Sequence, residues 1–269
     1  MKLRRLHPTA LEKVWGTSDT EPWFPRAERR TGEVWFTAPE EPRLLLKFLF
    51  TSGNLSVQVH PSDSDSGPGK TEMWHVLRAG PRSRVALGFE HPLSPAQARA
   101  AALSGAIENL LRWYPAQPGD TFFVPAGTVH AIGAGLALCE IQQHSDVTYR
   151  LYDYGRPREL HLEAGLAVAD LGLHPGPRIP VDLGNGRRLL AECPYFRTES
   201  IVVTGELSHA AGPQAEFLVS IEGNGTVQGQ PFAPGDVWIV LAGSGALTIA
   251  APQPARLLRA FVPDNTATL

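Results

Sequence analysis

Apolar residues along this chain come in short runs broken by glycine and proline. RLLLKFLF from Arg43, SRVALGF from Ser83, DTFFVPA from Asp120, EFLVSIEG from Glu216 and DVWIVLAG from Asp236 are of strand length and rich in Val, Leu and Phe. The stretch LSVQVH shows strict alternation: Leu55, Val57 and Val59 share one face, and Ser56, Gln58 and His60 the other, until Pro61 ends it. Such spacing predicts a mainly β protein, a sandwich or barrel with a few short helices. Ser94-Pro95-Ala96-Gln97 combines a Ser cap, Pro in the first helical position and Gln three residues after the cap. It predicts a helix over about 94–111; a second is expected over about 159–170. LGLHPGPRIP, Leu171 to Pro180, then reads as a linker.

An internal repeat fixes the organisation. PGDTFFVPAGTVHAI from Pro118 returns about 116 residues later as PGDVWIVLAGSGALTI from Pro234. That interval is too long for a solenoid and suits two copies of one β domain, 1–174 and 175–269. Pro125 and His130 of the first copy become Leu241 and Ala246 in the second, and of nine histidines only His209 lies beyond the linker. Chemistry is therefore expected in the first unit, and a degenerate, metal-free scaffold in the second.

Gln58 and His60, two apart on a strand, point the same way. With Glu72 and His130 they offer two oxygens and two nitrogens, a shell for a divalent ion. A strand histidine is more often a hydrogen-bonded packing residue, and spacing alone leaves both readings open. The remaining numbers exclude more than they assert. A net charge of −3 with no basic run argues against nucleic acid as a partner. No segment approaches the roughly 20 apolar residues of a membrane span. MKLRRLHPTALEKVW lacks the apolar stretch of a secretory signal, and Cys139 and Cys193 make no disulfide framework. A cytoplasmic location is expected.

Gly119, Pro125, Gly127 and His130 stand as G-x5-P-x-G-x2-H, similar to the second motif of the cupin superfamily of small β-barrels. The first cupin motif is bent, with Gln58 where a His is usual and a long gap from His60 to Glu72. QVHP from Gln58, GKTEMWH from Gly69, GTVH from Gly127 and EIQQHSDVTYRLYDYGR from Glu140 together resemble the type I mannose-6-phosphate isomerases in their short bacterial form, from about Val14 to Glu163. The resemblance implies a bicupin fold and a metal-dependent interconversion of mannose 6-phosphate and fructose 6-phosphate through a cis-enediol(ate). It implies one zinc ion per chain, held by Gln58, His60, Glu72 and His130. It implies Arg150 as an active-site arginine, Lys70 and Glu140 as catalytic groups close to the sugar, and Ser56 as a substrate-binding residue. Its partner would be a small sugar phosphate, with no nucleic acid or membrane involved, and the chain a monomer or homodimer. Two positions depart from the pattern: His144 stands where Asn is usual, and Thr17 where a Gly is common.

Aldose–ketose interconversion needs a base that takes a C–H proton beside a carbonyl and returns it to the neighbouring carbon. Glu140, Lys70 and His144 are each candidates. Arg150 and Lys70 supply charge for the phosphate or the enediolate. Asp146 and Tyr149 are expected as supports, Trp74 and His75 as packing beside the site, and Arg156 and Arg158 as surface charge or phosphate contacts. Two other classes remain to be tested. A non-catalytic sugar-binding or sensor protein would have lost a ligand or Arg150, and an iron-dependent cupin oxygenase would present a shell richer in His.

Overall fold

The computed structural model describes residues 2–64 and 67–264. A six-stranded antiparallel sheet runs in the order Thr9–Thr17, Thr31–Phe36, Leu44–Phe50, Leu136–Gln143, Glu72–Ala79, Thr121–Val124. A five-stranded sheet contains Tyr149–Tyr152, Val57–Val59, His130–Ile132, Arg84–Phe89 and Leu111–Pro115 in that order. Trp15, Leu49, Trp74 and Val76 of the first sheet meet Val85, Leu87 and Ile132 of the second in one buried cluster. The two sheets therefore form a sandwich with a filled centre.

Strand Leu44–Phe50 shows why RLLLKFLF is almost wholly apolar. Leu49 and Lys47 face the inside of this sandwich, whereas Leu44, Leu46, Phe48 and Phe50 face the other way. There they share a cluster with Phe217, Val219, Ile221, Val237 and Ile239 of the C-terminal half. A strand covered on both faces has no use for a polar alternation. At about 25 cal/mol per Å² of apolar surface, this shared core binds the halves more firmly than a linker could.

Eight strands between Val181 and Phe261, joined by Leu3–Arg5 from the chain's start, form a nine-stranded sheet. Arg197–Ala210 and Ala246–Phe261 run its length side by side, with a register shift between Val203 and Gly205. Ile201, Leu218, Trp238, Val240, Ile249 and Leu257 fill its interior. Leu3–Arg5 pairs with Val237–Val240, so the first residues of the chain belong structurally to the C-terminal sheet. The linker is held down by bridges Gly88–Leu173 and Thr121–Arg178.

The helices are shorter than expected. The Ser94 cap forms as read, its hydroxyl accepting from the Gln97 N–H and the Gln97 side chain accepting from the Ser94 N–H. The helix ends at Ser104, because Gly105 takes a left-handed φ of 79°; a separate turn Ile107–Leu110 follows, and Leu111 already starts a strand. The second helix covers only Leu162–Val168. Residues 159–161 are instead held by strand Tyr149–Tyr152: the Arg150 guanidinium donates to the Glu159 carbonyl at 3.4 Å, and the His161 N–H to the Arg150 carbonyl at 2.8 Å. Both helices pack with Val57, Val59, Ala86 and Ala131 on the outer face of the five-stranded sheet. No helix among the described residues is long and apolar enough to cross a membrane.

Candidate metal centre and active site

Strand pairing brings the four sequence-picked residues together. His130 lies opposite Gln58 in the five-stranded sheet, and Glu72 opens the facing strand of the six-stranded sheet. One nitrogen of each imidazole and one Glu72 carboxylate oxygen lie within 4.8 Å of one another. Both rings are oriented alike: His60 Nδ1 bonds the Val147 carbonyl at 2.8 Å and His130 Nδ1 the Thr128 carbonyl at 2.9 Å. A carbonyl only accepts, so Nδ1 carries the proton and each Nε2 lone pair faces Glu72, at 3.5 Å in both cases. Among the described residues, His60 Nε2 is buried without a hydrogen-bond partner. A buried acceptor without a donor costs on the order of 1–3 kcal/mol, and an ion at the cluster removes that cost. Gln58 completes the group, its amide 3.2 Å from His130 Nε2 and 3.0 Å from the Ser56 hydroxyl. Amide O and N exchange places by a half-turn, which turns the Gln58 oxygen toward the cluster. The residues present fit a divalent metal.

The electrostatics agree. Burial pulls His130 down to about 4, and pulls His60 well below its ordinary value with the charges of Lys70 and His130 adding to it. Both imidazoles are thus neutral donors at pH 7. Burial drives Glu72 up to about 7 in the metal-free protein, against the lowering effect of Lys70. Lys70 alone does not offset that burial, and a second cation at the cluster would.

Of the four, Gln58 lines a cavity of about 490 Å³ whose walls also include Ser56, Lys70, Glu140, Asp146, Arg150, Arg158 and His161; His60, Glu72 and His130 lie buried behind that wall, joined to it through Gln58 and Lys70. Lys70 contacts the Glu72 carboxylate at 3.2 Å. Burial lowers its proton affinity, but Glu72 and Glu140 raise it further, so it stays charged. Glu140 is clamped by Lys47 at 3.1 Å and by the Trp74 indole N–H at 3.0 Å. Burial alone would raise the Glu140 carboxyl; the charges of Lys47 and Lys70 hold it below the usual carboxylate range. Arg150 forms no ion pair among the described residues, and its guanidinium is left with the single 3.4 Å contact to the Glu159 carbonyl.

Other expectations are corrected. The His144 ring turns away to the Pro42 carbonyl, 2.9 Å from Nδ1, and lies outside the walls of this cavity, which removes it as a base. Trp74 packs beside the site, its ring 5.5 Å from that of His130, but His75 does not. Neighbours on a strand face opposite ways, and His75 bonds Thr121 at 3.0 Å and lines a cleft with Trp23 and Ile221 of the half-to-half contact. Arg156 and Arg158 both clamp Asp153; Arg158 lines the cavity, whereas Arg156 stacks over Tyr154.

Lys47, Trp35 and Glu33 also line the cavity and were not singled out from the sequence. Lys47 is buried, its ammonium 4.7 Å from the Trp35 ring centroid. Burial lowers its proton affinity, with the Lys70 charge acting the same way. The one signal was a lone Lys inside RLLLKFLF, a position where a charge needs a buried partner.

No family model matches the chain. Among curated proteins, the Bacillus subtilis mannose-6-phosphate isomerase ManA is 35% identical over 222 residues, spanning 75% of this chain and 70% of that protein. The Streptococcus mutans mannose-6-phosphate isomerase is 34% identical over 224 residues, 78% of this chain and 64% of that one. Among solved structures, the crystal structure of mannose 6-phosphate isomerase from Bacillus subtilis superposes with a TM-score of 0.88 at 25% identity, covering 97% of this chain and 100% of that one. A zinc-bound mannose 6-phosphate isomerase superposes with a TM-score of 0.78 at 14% identity, covering 97% of this chain and 100% of that one, and shares the fold.

Proposed function

The chain belongs to the mannose-6-phosphate isomerase family, and from that membership we propose that it interconverts mannose 6-phosphate and fructose 6-phosphate on one zinc ion held by Gln58, His60, Glu72 and His130. The observation that carries the reading is the buried His60–Glu72–His130 cluster, with an Nε2 unpartnered among the described residues, joined by Gln58 and Lys70 to a cavity that Glu140 and Arg150 also line. Two imidazoles and two oxygen donors suit zinc, and when bound it supplies Lewis acidity to the oxygens on the two reacting carbons.

The chain's own residues do the rest. Glu140 is ionised and lines the cavity; it takes the proton from one carbon and returns it to the next, while Lys47 and the Trp74 N–H hold the carboxylate in place. Lys70 stays protonated and faces the negative charge that develops on the enediolate. Arg150, unpaired at the cavity wall, adds a forked donor for the same charge. Ser56 orients the Gln58 amide. Trp15, Leu49 and Leu55 line the cavity and exclude water from the reacting carbons. The substrate is taken to be a cytoplasmic sugar phosphate.

A coupled isomerase assay on metal-analysed protein tests the reading. Activity should track zinc content, vanish on chelation and return with zinc. Full activity in thoroughly metal-free protein would refute it.

A further inference from the structure

The second half carries a residue-by-residue counterpart of the active-site wall, and strand register identifies it without superposition. Val124 and Val240 are equivalent in the Pro-Gly-Asp repeat; Glu72 pairs opposite the first and Glu216 opposite the second. Moving one strand over, Glu140 lies opposite Trp74 and Arg259 opposite Leu218. One strand further, Lys47 lies opposite Glu140, and Glu199 opposite Arg259. On the next, Glu33 pairs with Leu49 and Arg187 with Ile201. At the metal positions, His130 becomes Ala246, Gln58 becomes Ala210, and two residues on Gly212 stands for His60.

The pattern is one of inverted sign. Glu33, Lys47 and Glu140 are answered by Arg187, Glu199 and Arg259, while Glu72 alone keeps its charge as Glu216. That carboxylate is fully buried, like Glu72. Its partners are protein groups: Arg259 Nε donates to Glu216 Oε2 at 2.7 Å, and Nη2 lies 2.5 Å from the same oxygen. Its Nη1 lies 3.4 Å from Glu199. His209 Nδ1 accepts from Arg187 at 2.7 Å, so its Nε2–H donates to Glu216 Oε1. A Cβ on Gly212 would lie 3.4 Å from Arg259 Nη2, so the guanidinium already occupies the space beside the position that His60 takes in the first half.

We propose that the second barrel is a converted metal site in which the Arg259 guanidinium is the resident cation, held by Glu216 and Glu199, so that this barrel needs no ion to neutralise its retained carboxylate. The proposal rests on reading the first cluster as a metal site. It is tested by thermal unfolding and zinc analysis of the full chain, which do not depend on activity. In R259M, Glu199 keeps Arg187 and Arg197, but Glu216 is left with His209 alone. Loss of one partner of a buried pair should lower Tm by roughly 6–20 °C in a chain of this size, with zinc per chain unchanged. Adding E216Q removes the anion that needed a cation, and R259M/E216Q should recover most of the loss. R259E places a third carboxylate beside Glu199 and Glu216, and its Tm should become dependent on added zinc. An R259E protein as stable as the parent without added ion overturns the proposal. So does an R259M/E216Q protein no more stable than R259M. Where R259E does not fold, the Met and Met/Gln pair decides. Absence of zinc from the parent would defeat the isomerase reading and leave these Tm comparisons intact.

Discussion

Lys47→Met is the sharpest probe of how the active-site wall is held. Lys47 and Glu140 are 3.1 Å apart with side chains 5% and 4% exposed. At an effective dielectric near 20 their attraction is about 5 kcal/mol, set against the cost of burying both charges. Methionine keeps the volume and apolar stem but leaves Glu140 with Lys70 as its only nearby cation. Breaking a buried pair by removing one partner costs about 3–5 kcal/mol, or a Tm lower by roughly 6–20 °C. The loss should also grow with pH. In the parent, Glu140 has a folded-state pKa below its ordinary value, so its stabilisation is present above about 4.5 and is lost as pH falls through the folded value. In Lys47→Met burial dominates and the folded pKa rises. A raised carboxyl favours the fold below its unfolded pKa and loses that effect as pH climbs, so the Tm deficit should be smaller at pH 5 than at pH 8. Differential scanning calorimetry of K47M and K47M/E140Q checks both points. The Gln keeps an acceptor for the Trp74 N–H and removes the stranded charge, so most of the loss should return while isomerase activity does not. A double variant as unstable as K47M would mean that packing, not charge, holds this wall, and the electrostatic account would be wrong.

Further expectations concern the same site. His60→Ala and His130→Ala should each lose most of the bound zinc, by elemental analysis, along with activity; full zinc content in both would remove them as ligands. Arg150→Ala should keep zinc and fold, hold KM within roughly tenfold and lose on the order of 10² in kcat, whereas a raised KM with normal kcat would assign Arg150 to the phosphate. Zinc should bind the apo protein more weakly below about pH 7, with proton release, because Glu72 must lose its proton; calorimetry in buffers of different ionisation enthalpy reads this directly. His144→Ala should leave kcat within about twofold, since its ring lies outside the cavity wall.

How much of this could be read from the chain depended on whether the signal was local. Ser56, Gln58 and His60 announce themselves because alternation within one strand puts them on one face, and the Pro-Gly-Asp repeat marks both barrels in consecutive residues. Lys47 was overlooked because its meaning lies across the sheet: only the register with Glu140 explains a Lys amid Leu and Phe. The same holds for Arg259 and Glu216, paired from strands 43 residues apart. Helix 94–111 is overextended because helix-forming residues continue past Gly105, from Ala106 to Leu111, and hide a break that one left-handed residue imposes. His144 was weighed as a base from its place in a motif, but the turn after Gln143 aims its ring at Pro42.

The pairing of Leu3–Arg5 with Val237–Val240 has a consequence for how the chain is made. Leu3–Arg5 leaves the ribosome about 230 residues before the strand it pairs with. At about 5–20 residues per second, the segment that includes Leu3 waits roughly 10–50 s before Val240 is synthesised. Until then its partner strand does not exist, and Leu3, buried in the finished molecule, lacks that cover. A fragment cut at the linker would keep this strand on the wrong piece: the N-terminal part would trail an unpaired strand with Leu3 uncovered, and the C-terminal part would expose the Val237–Val240 edge to other chains. Both should aggregate alone and become soluble when mixed, so the two barrels are inherited as one folding unit despite their repeated sequence.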